Sequence, residues 1–220
     1  RDVMADVADV LVADGFAGNL ILKNTEGVAM ALMRIIKKEM MADFIRTFGK
    51  IDVLINNAGG ALQIPGGPKG EFKDMPMEYW DSQMALNLNS AAYLSRYAVE
   101  DMIEKKTEGR IVNISSVHGQ VTWVHRRMLP YSAAKSGLNM FTKALGVEVA
   151  KYGITVNCVA PGPTQTGWID EDLETAVIPL IPMGKLIQPE DIAETILFLA
   201  SEQARMVTGQ VIKVSGGKAL

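Results

Sequence analysis

The chain lacks the features that mark disulfide-bonded, membrane-spanning and nucleic-acid-binding proteins. Its single cysteine, Cys158, excludes an intramolecular disulfide, and its apolar neighbours indicate a small buried hydrophobic residue, which fits a reducing cytoplasm. No uninterrupted apolar run reaches about 18 residues, so no transmembrane span is expected. The net charge is −3 and basic residues form only pairs such as Lys37-Lys38, which argues against nucleic acid or an anionic membrane as a partner.

Length and periodicity predict a single α/β domain over residues 1–220. Five apolar strand patterns alternate with helical patterns, which indicates a mostly parallel sheet. The strands are predicted at residues 8–14, 51–57, 110–114, 154–160 and 211–214. Helices are predicted at residues 20–48, with a break near 41–43, and at 77–103, 131–152 and 189–199. Proline, glycine and acidic residues in 162–185 favour a mobile segment over a packed element.

Tyr131 and Lys135 form a candidate acid/base pair. They stand four residues apart with small residues between them, so a helix would place both on one face. A phenol, with an ordinary pKa of about 10, needs a nearby cation such as this ammonium to exchange protons near neutral pH. The alternative is an ordinary helix on which the tyrosine packs its ring and the lysine reaches solvent.

Polar and glycine-containing turns follow three of the predicted strands. Asn57-Ala58-Gly59 follows the second strand, Ser115-Ser116 the third and Pro161-Gly162 the fourth. Because ligands of parallel sheets bind beyond the carboxyl ends of the strands, we expect these turns to meet Tyr131 and Lys135 at one edge.

These motifs and their order resemble the short-chain dehydrogenase/reductase family over residues 42–217. The resemblance rests on the NNAG turn ending at Gly59, a serine before the YxxxK motif at 131–135, and the PGxxxT motif at 161–166. It implies a Rossmann-like three-layer fold, apparently shortened to about five strands. It also implies interconversion of a small-molecule ketone and a secondary alcohol by hydride transfer with NADP or NAD, without deciding between the two. No metal is implied, and a homodimer or homotetramer through the helices around 77–104 and 131–151 is expected.

The resemblance assigns roles to individual residues. Tyr131 would be the acid/base, Ser116 would hydrogen-bond the substrate oxygen, and Lys135 would lower the pKa of the phenol and hold the nicotinamide ribose. Asn87 would anchor a proton-relay water, whereas Ser115 is interpreted as a structural hydroxyl. Contacts with the dinucleotide are implied for Asn57, Ala58, Gly59, Tyr131, Lys135, Pro161, Gly162 and Thr166.

Residues 1–41 depart from the family pattern. The family begins with a TGxxxGxG loop, which admits a pyrophosphate at a helix N-terminus, and continues through two further strands; this chain has neither. Residues 1–40 instead resemble a segment of the phosphate acyltransferase of phospholipid synthesis, so we interpret the chain as a join near residues 40–46.

The join has predictable consequences for the sheet. Loss of the family's second and third strands leaves a contiguous sheet, and a right-handed crossover then puts the first helix on the face opposite to the family's first helix. The reversal of winding at the dinucleotide crevice is lost. We therefore expect an intact catalytic set, an absent or improvised adenosine half, and an exposed apolar sheet face that favours association.

Both histidines, His118 and His125, lie in a predicted loop at residues 117–129. No cysteine or acidic partner stands near them, so we prefer a place in the substrate-pocket wall, with Trp123 and Met128, over a metal pair. Two alternatives to an oxidoreductase stay open. One is a recombined or engineered α/β protein with an incomplete cofactor site and little or no activity. The other is acyl-phosphate chemistry in the opening segment, which is disfavoured because one strand and one turn cannot supply a whole site.

Overall fold

The computed structural model describes residues 10–13, 26–61, 71–122, 128–166, 169 and 171–219. Its strands are β1 (Val10–Ala13), β2 (Val53–Asn56), β3 (Arg110–Ile114), β4 (Thr155–Pro161) and β5 (Val211–Val214). Its helices are α1 (Glu26–Phe48), α2 (Met77–Met84), α3 (Ser90–Glu104), α4 (Leu129–Val149), α5 (Glu171–Val177) and α6 (Pro189–Ala200).

The five strands form one parallel sheet in the order β1-β2-β3-β4-β5. This confirms the predicted mostly parallel sheet and the contiguous strand order. The register pairs Asn56 with Asn113 and Ile114 with Val159, so the carboxyl ends of β2, β3 and β4 lie side by side. Every turn that was predicted to carry the site follows one of these ends.

Helices α1, α3 and α4 cover one face of the sheet. The buried side chains of this layer include Met41 from α1, Leu94 and Ala98 from α3, and Leu54 and Ile111 from the strands. The position of α1 beside α3 agrees with a right-handed crossover from β1 to β2. The predicted break near residues 41–43 is wrong: α1 is continuous, and Met41 is 1% exposed against the core.

Helix α6 covers part of the other face, which makes the fold three-layered. Its Leu199 packs with Val112 of β3 and Val159 of β4. The helix starts with Pro189 in its first turn and a reciprocal capping pair between Gln188 and Asp191.

Residues 162–185 form packed structure rather than the mobile segment that their composition suggested. Within the described part of this stretch, α5 is followed by a short 3-10 turn, and Val177 and Ile181 are buried. They contact Leu186 and Ile187, which precede α6. The prediction failed because it gave weight to the prolines and acidic residues and overlooked the helical spacing of the apolar ones. Residues Ile169, Leu173, Val177 and Ile181 recur every four positions and together build a small core.

The other boundaries differ from the predictions by short shifts and one insertion. Helix α4 begins at Leu129 rather than Tyr131, since Pro130 is favourable in a first helical turn. The predicted helix 77–103 contains a π-helical turn, Ala85–Asn89, between α2 and α3. Such turns are rare and often occur at functional sites. Here the π-helical turn contains Asn87.

Candidate active site

Ser116 and Tyr131 meet where β3 ends and α4 begins. Ser116 is 7% exposed, and its hydroxyl also accepts a hydrogen bond of 3.2 Å from the His118 backbone N–H. Burial raises the pKa of the Tyr131 phenol, and a side-chain hydrogen bond with Ser116 partly offsets that rise. The Ser116 and Tyr131 side chains therefore lie close enough to interact.

Lys135 lies one helical turn further along α4, on the same face. It is 3% exposed, and burial lowers the pKa of its ammonium to about 8. Its Nζ donates a 2.7 Å hydrogen bond to the carbonyl of Ile114 and lies 5.8 Å from the centre of the Tyr131 ring. Lysine and tyrosine are therefore brought together.

The expected lowering of the Tyr131 pKa by Lys135 is not found. The pKa of Tyr131 is raised, and the group that counters the rise is Ser116 rather than Lys135. The reason is the direction of the ammonium, which points to the Ile114 carbonyl. In this arrangement the lysine ammonium serves as a hydrogen-bond donor to a backbone carbonyl.

Asn87 connects the π-helical turn to the glycine turn after β2. Its Oδ1 accepts a 2.9 Å hydrogen bond from the Gly60 N–H, and its Nδ2 donates to the Gly60 carbonyl at 3.0 Å. The same Nδ2 donates to the backbone carbonyl and the side-chain Oε1 of Gln83 at 3.1 and 3.0 Å. Asn87 is 1% exposed, so its amide is committed to holding this turn.

Gly59 lies in a tight cradle between Lys135 and Asn87. A Cβ at this position would lie 2.8 Å from Lys135 Nζ and 2.9 Å from Asn87 Oδ1. Only glycine lets the backbone pass there without moving either side chain. The neighbouring Asn57 is exposed and Ala58 is half-buried.

The turn after β4 is a second close approach of backbone. Gly162 donates a 2.8 Å backbone hydrogen bond to Val214 of β5, and a Cβ on Gly162 would lie 2.9 Å from Ser215 Cα. Pro161 is the last residue of β4 and is half-buried. Thr166 is exposed, and in the described part of the chain no hydrogen bond joins its side chain to the other predicted site residues. The structure thus groups Gly162 and Pro161 at the strand end but leaves Thr166 on an outer turn.

A chain of buried, hydrogen-bonded amides and hydroxyls links the strands and helices that carry the site. The sequence did not predict it. Asn56 Nδ2 donates to Ser95 at 3.0 Å and to Asn113 Oδ1 at 2.8 Å, and Asn113 Nδ2 donates to Thr142 at 2.9 Å. These contacts tie β2 and β3 to α3 and α4. The available signal was an asparagine in each of two adjacent apolar strands.

Ser115 has the structural role that was expected of it. Its hydroxyl donates to the Lys135 carbonyl at 3.1 Å, which fixes α4 to the end of β3. His118 lies beside Tyr131, with ring centres 6.0 Å apart in an edge-on arrangement, and Met128 is half-buried. Trp123 and His125 lie outside the described residues. Among the residues that are described, no group of three potential metal ligands occurs.

A parallel sheet between two layers of helices, with polar turns at the carboxyl ends of its strands, defines the Rossmann-like class of α/β folds. The family model described as enoyl-(acyl carrier protein) reductase matches residues 37–219. The chain belongs to the short-chain dehydrogenase/reductase family.

Curated relatives of the chain act on different substrates. A 3beta-hydroxysteroid dehydrogenase of Eggerthella lenta is 34% identical over 90% of this chain and 77% of its own length. A (2S)-[(R)-hydroxy(phenyl)methyl]succinyl-CoA dehydrogenase subunit of Thauera aromatica is 40% identical over 82% of this chain and 70% of its own length. A 3-oxoacyl-[acyl-carrier-protein] reductase of Vibrio cholerae is 38% identical over 77% of this chain and 67% of its own length.

Solved structures agree with the fold. A 3-oxoacyl-[acyl-carrier protein] reductase with bound NAD from Brucella melitensis superposes with a TM-score of 0.74 at 31% identity, covering 84% of this chain and 68% of that protein. Acetoin dehydrogenase from Salmonella typhimurium gives a TM-score of 0.70 at 32% identity, covering 81% and 68%.

The N-terminal segment matches a second family. A model described as fatty acid synthesis protein matches residues 1–58, so it overlaps the first match by about twenty residues. The overlap, residues 37–58, includes the positions near 40–46 where a join was expected; the join itself and the resemblance to phosphate acyltransferase stay predictions. In the described parts of the chain, none of the helices has the length and apolar character needed to cross a bilayer.

Proposed function

We propose that the chain is an NAD(P)-dependent oxidoreductase that interconverts a ketone and a secondary alcohol. The observation that carries the proposal is the grouping of Tyr131 with Ser116 and a buried Lys135, whose Nζ lies 5.8 Å from the centre of the Tyr131 ring, at the carboxyl edge of the sheet. Family membership and relatives that act on hydroxy and oxo compounds support it.

The residues present fit the nicotinamide half of a dinucleotide. Glycine at 59 and 162 lets the backbone pass close to Lys135, Asn87 and Ser215, where a Cβ would collide with them. Gly59 is exposed and Gly162 half-buried, so the backbone of both turns is open to a ligand at this edge. Gly59, Pro161 and Gly162 would hold the dinucleotide, together with Asn57, Ala58, Tyr131, Lys135 and Thr166. When bound, the dinucleotide supplies or accepts the hydride.

The chain's own residues would transfer the proton and bind the carbonyl oxygen of the substrate. In reduction, the Tyr131 phenol gives its proton to the carbonyl oxygen as negative charge develops there, and Ser116 donates a hydrogen bond to the same oxygen. The Lys135 ammonium, if turned from the Ile114 carbonyl toward the phenol, would stabilise the phenolate that is left. Asn87 would anchor the water that returns a proton to the tyrosine.

The adenosine half of the cofactor site is proposed to be absent or improvised. The chain contains no TGxxxGxG loop before β2, and that segment also carries the residues that choose between NAD and NADP. We therefore leave the cofactor as NADP or NAD. We therefore expect weak affinity for the dinucleotide together with intact proton transfer by Tyr131.

Dinucleotide titration and a substrate panel test the proposal. NADH and NADPH are titrated by fluorescence, and turnover is measured with ketones of sugar, β-ketoacyl thioester and steroid type. Tyr131→Phe should lower turnover by about 10²–10⁴ while weakening dinucleotide binding far less. The control Tyr152→Phe removes a phenol that is 43% exposed beyond the other end of α4 and should leave turnover unchanged. Equal turnover in wild type and Tyr131→Phe would refute the assignment.

The alternative is a recombined or engineered α/β protein with little or no activity. The match of residues 1–58 to a different family favours keeping it. Absence of binding by both dinucleotides up to millimolar concentration, in a cooperatively folded protein, would support this alternative. Micromolar binding of either dinucleotide would instead contradict the proposed deficiency of the adenosine half.

A further inference from the structure

Gln83 is a fully buried amide that the proposed reaction does not use. It lies in α2, one turn before Asn87, and is 0% exposed. Glutamine is seldom found completely buried, because each unpaired polar atom costs free energy. Its burial therefore indicates a neighbouring polar group that needs a hydrogen-bond partner, which an apolar residue could not provide.

The acceptor end of Gln83 has such a partner. Gln83 Oε1 accepts a 3.0 Å hydrogen bond from Asn87 Nδ2, and Asn87 Oδ1 accepts from the Gly60 N–H at 2.9 Å. An asparagine amide can be placed in two orientations that exchange its oxygen and nitrogen. The Gly60 N–H requires the oxygen of the Asn87 amide, and the backbone carbonyls of Gly60 and Gln83 accept from its nitrogen. Gln83 Oε1 adds a side-chain acceptor for the same nitrogen and so strengthens this orientation.

The donor end of Gln83 contributes little. Its Nε2 lies near the Tyr79 hydroxyl, whose pKa it helps to lower against the rise caused by burial, but it makes no hydrogen bond of normal geometry with the described residues. A buried donor without a well-formed bond is destabilising. The amide is therefore poorly explained by stability alone, and the acceptor contact to Asn87 is its useful feature.

We infer that Gln83 is a positioning residue, whose side-chain oxygen reinforces the orientation of the Asn87 amide and thereby helps to hold the Gly59-Gly60 turn in place. The turn lies against Lys135, since a Cβ on Gly59 would lie 2.8 Å from Lys135 Nζ. Its importance for catalysis rests on the proposed function, in which this turn contacts the dinucleotide. Its effect on the turn does not depend on any bound cofactor.

Hydrogen exchange at Gly60 tests the inference without cofactor or substrate. In protein labelled with ¹⁵N-glycine, Gln83→Met should speed exchange of the Gly60 amide about fivefold, because methionine keeps the volume but offers no comparable acceptor. Gln83→Glu should retain slow exchange, since a carboxyl oxygen accepts the Asn87 bond in either protonation state. Ser82→Ala is the matched control, because the Ser82 hydroxyl bonds only to the Glu78 carbonyl among the described residues.

The outcomes separate a positioning role from a packing role. Unchanged Gly60 exchange in Gln83→Met would overturn the inference, as would equal acceleration in Gln83→Met and Gln83→Glu. If Gln83→Met does not fold, the wild-type protein still decides: the side-chain NH₂ protons of Asn87 should exchange slowly. Exchange of those protons at the rate of exposed asparagines would also overturn the inference.

Dinucleotide titration of the same variants then tests the link to the reaction. Gln83→Met should raise the Kd for NADH or NADPH about fivefold, and Gln83→Glu should restore it, with little change in turnover at saturation. If the wild type binds neither dinucleotide, the proposed function fails while the Gly60 exchange result still stands. If wild type binds and Gln83→Met binds equally well, the catalytic relevance of Gln83 is refuted and the proposed function survives.

Discussion

Replacing Lys135 with methionine is expected to stabilise the fold at neutral pH while removing the proposed activity. Burial lowers the pKa of the Lys135 ammonium to about 8, from an ordinary value of 10.5. The charged form is therefore less favourable in the folded chain than in the unfolded chain, by about 3 kcal/mol. Loss of the hydrogen bond to the Ile114 carbonyl offsets about 1 kcal/mol of that gain. The net increase in stability is about 2 kcal/mol, or about 4–8 °C in Tm for a chain of this size.

The pH dependence of the effect follows from the direction of the pKa change. Between pH 8 and 10.5 the unfolded chain keeps the Lys135 proton and the folded chain releases it, so the lysine's contribution to stability rises with pH. Burial also raises the pKa of Cys158 to about 11 and raises the pKa of Tyr131. The contributions of these two groups to the free energy of unfolding fall as the pH rises above 9 or 10. The difference between wild type and variant is therefore the informative quantity, and it should shrink from pH 8 to 10.5.

Lys37 offers a matched control far from the site. It is 8% exposed in α1, and burial lowers its pKa to about 8 as well. Lys37→Met should show a similar gain of Tm at pH 7 and leave dinucleotide binding unchanged, whereas Lys135→Met should weaken binding. The assay is thermal unfolding followed by circular dichroism between pH 6.5 and 10.5, beside fluorescence titration at pH 7. A lower Tm for Lys135→Met at pH 7, or a difference from wild type that does not change with pH, would refute the reasoning.

Three further outcomes are expected. The Cys158 thiol is 0% exposed with its pKa raised to about 11, so it should react with a soluble thiol reagent at pH 8 only on unfolding; rapid labelling of native protein would contradict this. Asn113→Leu leaves buried groups of Asn56 and Thr142 without their partner and should cost about 2–3 kcal/mol in urea unfolding, and an unchanged midpoint would count against the support described. Val147 is 80% exposed on α4 and should lie in a subunit contact. Val147→Glu should therefore lower the mass measured by light scattering. A wild-type protein that is already monomeric would reject the contact.

The strands and the site edge were predictable because both depend on local signals. Apolar runs and the turns after them mark where parallel strands end, and these ends must lie together. The direction of Lys135 was not predictable, since it depends on the Ile114 carbonyl supplied by another strand. The burial of Gln83 was not predictable either, because a glutamine in a helical pattern normally faces water, whereas this one is 0% exposed at the end of α2.

In the proposed site, proton transfer and binding of the adenosine half of the cofactor depend on different parts of the chain. The side chains proposed for proton transfer come from β3, α4 and the π-helical turn, and buried polar contacts from Asn56 through Asn113 to Thr142 hold these elements together. None of these contacts involves the N-terminal segment before α1. On the proposed function, a change in that segment would leave the hydrogen bonds around Tyr131 and Ser116 in place and would affect the half of the site that holds adenosine. If the proposed reaction occurs, the proposed deficiency of the adenosine half should appear as a high KM for the dinucleotide rather than as a low kcat, because the residues for proton transfer lie outside that half.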